Sequence, residues 1–121
     1  MNILPEFLIG ILFSKQSTIA FNNSTFHKVF FKMKRNPKYV SLFESIPFSG
    51  SPVNPFSEVL DEALFNLQFS GALSRRNPGL VIYSTTESFD YTYSILTKDV
   101  DSTVLDKTKE LCNEILQMLE T

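Results

Sequence analysis

The chain has 121 residues, a length that suits a single domain, 1–121, able to bury a core without disulfide or metal staples. A formal net charge of −2 argues against a dedicated nucleic-acid binder, whose electrostatic footprint is usually basic. The one cysteine, Cys112, excludes an internal disulfide and suits a reducing cytoplasm.

Twelve Phe and no Trp concentrate the aromatic content in side chains without a polar handle, so most of these rings belong in a core or at an interface. Residues 7–13 are apolar, but they lack a basic flank and follow Glu6, which is not the pattern of a signal peptide. The run is also too short to span a bilayer. Pro5 and Glu6 suit a first helical turn, and the helix should reach about Lys15. Leu4, Phe7, Leu8, Ile11 and Leu12 form its stripe, and Ile9 and Phe13 widen it until little polar face is left. Such a helix is covered on several sides.

Asn22, Asn23 and Ser24 form a turn with a good N-cap. Phe26, Val29, Phe30 and Met33 follow at i, i+3, i+4 and i+7, the spacing of an amphipathic helix. Lys34 and Arg35 suit its last turn, and Pro37 stops it. Residues 42–46 read as a short extended piece and the following stretch as a loop. Asn54 is expected to cap a third helix, with Pro55 at its first position, running to about Ser70 and ending at Gly71.

Residues 73–96 read as strands. LVIYST is β-branched and aromatic, and SFDYTYSIL alternates Phe89, Tyr91, Tyr93 and Ile95 against Asp90, Thr92 and Ser94, a period of two. TTES between them would turn a hairpin, and Asn77–Pro78–Gly79 is a second turn signal. From about Ser102 to Glu120 a last helix spaces Val104, Thr108, Leu111, Ile115 and Met118 by fours and threes. That spacing fits packing along another helix, either the first helix of the same chain or the last helix of a second copy.

The expected fold class is therefore α+β and winged-helix-like. Helices would pack on a small antiparallel β-hairpin, with extra N- and C-terminal helices. The stretch PFSEVLDEALFNLQFSGALSRRNPG resembles the third helix and wing entry of winged helix-turn-helix proteins. It is also similar to small prokaryotic proteins of the Panacea antitoxin kind, through Pro55, Ser57, Glu58, Leu60, Leu64, Leu67 and Gly71. That resemblance implies an interaction role as readily as a DNA-reading one.

On the third helix Phe56, Val59, Leu60, Ala63, Leu64 and Leu67 gather on one side. Glu58, Asp61 and Glu62 lie opposite, with Phe65 and Phe69 on the acidic side. In a DNA groove each carboxylate would oppose binding by about 1 kcal/mol. Exposed rings rimmed by acids suit a protein partner or a homodimer instead, unless the terminal helices or the hairpin cover them. Lys28, Lys32 and Arg35 share a face of the second helix. With Arg75 and Arg76 they form the alternative, a nucleic-acid-binding set. His27 and Cys112 stand too far apart to announce a metal centre. Neither a Gly-x-Ser-x-Gly elbow nor a Gly-rich phosphate loop occurs. No catalytic residue, cofactor or metal is expected, and no membrane partner.

Overall fold

The computed structural model describes residues 3–75, 79 and 81–120. In chain order the elements are α1 (Pro5–Lys15), β1 (Thr18–Ala20), α2 (Asn23–Lys34), a 3-10 helix (Val40–Phe43), β2 (Ser49–Ser51), β3 (Asn54–Phe56) and α3 (Glu58–Phe69). β4 (Leu73–Arg75), β5 (Ile82–Thr85), α4 (Phe89–Thr97) and α5 (Ser102–Glu120) follow. The class is α+β.

α1 is the axis of the core. Pro5 and every residue from Phe7 to Phe13 are buried, as its lack of a polar face requires. Leu4, at the N-cap, is exposed. α3, α4 and α5 all pack on α1. Cys112 Sγ donates to the Leu8 carbonyl at 3.5 Å, which fixes α5 beside α1 in the same chain. Thr108, Leu111 and Ile115 of the α5 stripe are buried, while Val104 and Met118 are only partly so. α4 crosses α1 so closely that a Cβ on Gly10 would lie 3.1 Å from Leu96 Cδ1.

α2 starts where expected. The Asn22 side chain accepts from the Thr25 N–H at 2.8 Å, and Phe26, Val29, Phe30 and Met33 are buried. Phe26 stacks on Phe21, and Phe21 on Tyr83 of β5, at centroid distances of 4.5 and 4.4 Å. This aromatic column ties α2 to the sheet. Each buried ring contributes about 1.5–3 kcal/mol.

The sheet runs β1-β5-β4, antiparallel throughout, and β2 and β3 form a separate hairpin. Four sequence expectations are corrected. The segment 42–46 is not extended; a 3-10 turn buries Leu42 and Phe43. Asn54 and Pro55 do not begin α3. They lie in β3, opposite Ser51 and Gly50, and Pro55 is tolerated because this two-stranded hairpin leaves its amide side open. Ser57 is the N-cap instead, its side chain accepting from the Leu60 N–H at 3.2 Å.

SFDYTYSIL is not a strand. It forms α4, with Phe89 buried and Tyr91 exposed. β5 therefore pairs not with this segment but with β4 on one side and β1 on the other. The three residues of β1 are too few for a periodic signal. At the end of α3, Gly71 takes the left-handed conformation, φ 89°, as its place after the helix suggests.

Candidate functional site

The inward face of α3 is set by Leu60, Ala63, Leu64 and Leu67, all buried. Phe56 of β3 is partly exposed at 38% and stacks over His27, centroids 4.5 Å apart. On the outward side, Glu58, Glu62, Phe65 and Phe69 recur at intervals of four, three and four. They form one stripe down the helix, and all four side chains are exposed.

Phe65 is 60% exposed and Phe69 83%. Neither the terminal helices nor the hairpin covers them. Their rings stack on each other, centroids 6.0 Å apart and 25° between planes. Beside them an open hollow is bordered by Asp61, Leu64, Gln68, Arg75 and Tyr83.

Arg75 belongs to this side of the molecule. Its guanidinium donates to Tyr83 Oη at 2.8 Å and lies 5.3 Å from the Tyr83 ring centroid. Lys28, Lys32 and Arg35 are exposed on α2 and border a different hollow, with Phe31, Pro52, Val53 and Pro55. The Arg35 guanidinium sits 5.8 Å from the Phe31 centroid, and Val53 is 79% exposed. The cations expected to act together thus fall into two groups lining separate hollows, and Arg76 lies outside the described residues.

Phe31 and Val53 were not singled out in the sequence. Phe31 had a signal, since positions 28, 31, 32 and 35 fall on one helical stripe. Val53 had none, because its exposure depends on the β2–β3 hairpin.

Asp61 does not stand with the outward acids. Its carboxylate lies 3.6 Å from His27 Nε2. His27 is 1% exposed and Ser57 fully buried. The Ser57 backbone N–H donates to His27 Nδ1 at 3.0 Å, so the neutral ring carries its proton on Nε2. Nε2 itself has no hydrogen-bond partner. Burial lowers the proton affinity of His27, and the Asp61 charge and hydrogen-bonding capacity offset this in part.

Ser57, His27 and Asp61 are the residue types of a nucleophile triad, but the geometry is that of a helix cap. The amide of Ser57 meets the imidazole, and its hydroxyl serves the Leu60 N–H. A triad requires the hydroxyl to meet the base. Among the described residues no group of three or more His, Cys, Asp and Glu side chains is placed to hold a metal ion, and no helix is long and apolar enough to cross a membrane. No protein family, no curated protein and no solved structure matches this chain.

Proposed function

We propose that this protein is a non-catalytic interaction or regulatory module of winged-helix type, whose outward α3 stripe docks on protein. The exposed, mutually stacked Phe65 and Phe69 carry this reading. Leaving two such rings in water forgoes about 1.5–3 kcal/mol each, and paired aromatic anchors are what binding hot spots are made of. Glu58 and Glu62 extend the stripe toward the helix N-terminus. Glu58, in the first turn, favours the helix dipole, and both acids oppose phosphate.

The winged-helix assignment draws on the order α1, β1, α2, α3, β4, β5, with β1 adding to the far side of β5. That order is the skeleton in which a wing hairpin joins a three-helix core. One departure is that 23 residues, with their own hairpin, separate α2 from α3, where a helix-turn-helix has a tight turn of about 3–4 residues.

The test is a Phe65→Ser, Phe69→Ser double variant. It should melt at the wild-type temperature and lose association with its protein partner. If it unfolds, the rings belong to the core and the reading is wrong.

A second reading, a DNA-binding regulator, is favoured by one observation. Lys28, Lys32 and Arg35 form an exposed stripe without an ion pair among the described residues. It would act through these with Arg75 and Arg76. Tight DNA retention with a steep salt dependence, abolished by Arg75→Ala with Arg76→Ala, would favour it over the first.

A further inference from the structure

We propose that the partner of the α3 stripe is a second copy of this chain. In that contact the stripe of Glu58, Glu62, Phe65 and Phe69 on one copy docks on the stripe of Lys28, Phe31, Lys32 and Arg35 on another. This rests on the protein-docking reading above and names its occupant.

The argument is complementarity between two surfaces of the same molecule. Each consists of an exposed helix stripe carrying one sign of charge beside apolar groups. On α3 the acids occupy the first two turns and the rings the last two. On α2, Lys28 and Lys32 stand one turn apart, as Glu58 and Glu62 do, about 6 Å along each axis. One acid pair can therefore face one cation pair in register.

The apolar parts match as well. Phe65 and Phe69 need an apolar seat, and the hollow beside the cations offers Phe31, Val53, Pro52 and Pro55. The α3 stripe spans about 16 Å. The α2 stripe is shorter, about 10 Å, and Pro52, Val53 and Pro55 of the β2–β3 hairpin border the same hollow beside it.

The local electrostatics point the same way. Among the described residues, Glu58, Glu62, Lys28, Lys32 and Arg35 make no ion pair; the pairs present join His27 to Asp61 and Lys38 to Glu110. Like charges four residues apart work against each helix. A docked copy sets opposite charges against each pair and offsets both repulsions. Arg35 also lies over Phe31, holding a planar cation on the seat where a carboxylate or a ring would arrive.

The experiment is solution mass by sedimentation against concentration and salt, on the full chain. The wild type should exceed one 13.8 kDa chain as concentration rises, and raising salt should weaken association, because the charges are solvent-facing. Glu58→Lys with Glu62→Lys makes both stripes basic. Lys28→Glu with Lys32→Glu makes both acidic. Each double variant alone should run as a monomer, its association constant down about tenfold or more. An equimolar mixture should associate again, since the exchanged pairs at 28/32 and 58/62 then meet their counterparts with opposite sign.

All these positions are exposed, so wild-type circular dichroism and melting temperature check that the folds are intact. A monomeric wild type at all concentrations overturns the proposal. So does association that survives in either charge variant alone, or a mixture that stays monomeric. The docking reading itself fails separately, when the Phe65→Ser, Phe69→Ser variant unfolds or when it associates as the wild type does.

Discussion

Replacing His27 by Leu tests how α3 is anchored. His27 Nδ1 is the acceptor for the Ser57 N–H, both residues being buried. Leucine roughly fills the ring's volume but offers no acceptor. The stranded amide costs about 1–3 kcal/mol, and the lost stacking on Phe56 adds about 0.5–1.5 kcal/mol. For a chain of this length each kcal/mol moves Tm by roughly 3–6 °C, so a fall of roughly 5–27 °C is expected. His27→Asn sets an oxygen near the place of Nδ1 and should recover part of it.

The same pair separates on pH. Burial lowers the His27 pKa below its usual 6.5, so as pH falls past that value the unfolded chain takes the proton first. Stability is thus full above pH 6.5 and declines below it. The His27→Leu variant should lack the part of that decline due to His27. Thermal melts followed by circular dichroism, and urea midpoints on both sides of pH 6.5, measure both effects. If His27→Leu melts at or above the wild-type temperature, the imidazole does not hold the start of α3.

Burial pushes the Cys112 thiol up to about 12, so a thiol reagent should label the native chain only through unfolding, at a rate that tracks global stability. Rapid labelling of the folded protein would show that α5 does not stay docked on α1. At Gly50, φ is 83° and an added Cβ would meet the Asn54 carbonyl oxygen at 2.7 Å. Gly50→Ala should therefore cost about 1 kcal/mol or more. At Gly71, φ is 89° but the space around it is open, so Gly71→Ala should cost less. Equal denaturant midpoints for the two variants would show that the contact with the Asn54 carbonyl adds no cost.

Sequence periodicity revealed the helices wherever apolar residues recurred at helical spacing over several turns, with or without a polar opposite face. α1, α2 and α5 fall where their apolar spacing puts them. What escaped was structure without periodicity. β1 is three residues long and gains its partners only when β5 arrives from sixty-six positions away, Thr18 opposite Ser84. β2 and β3 pair within a stretch that reads as loop because of its Pro, Gly and Ser content. The His27 cap on Ser57 joins residues thirty positions apart, and no local pattern announces it.

Two departures from the sequence expectation, one of element type and one of helix start, have unequal consequences, and the periods explain why. In α4, Phe89 and Tyr93 are four apart, a spacing that keeps two side chains on one face in a strand and nearly so in a helix. The residue that distinguishes them is Tyr91. A strand would place it beside Phe89, whereas a helix turns it about 200° away, and it is 73% exposed while Phe89 is buried. Misassigning that period exchanged a helix against α1 for a strand of the sheet. In α3 the start was off by three residues, but the period was right. Moving a boundary along a helix does not rotate its faces, so Glu58, Glu62, Phe65 and Phe69 keep their outward stripe wherever the cap falls. The candidate site was therefore legible although the element carrying it was misplaced. Asp61, one step around from that stripe, is the position where a 100° spacing was too coarse to separate an outward acid from one that turns back to His27.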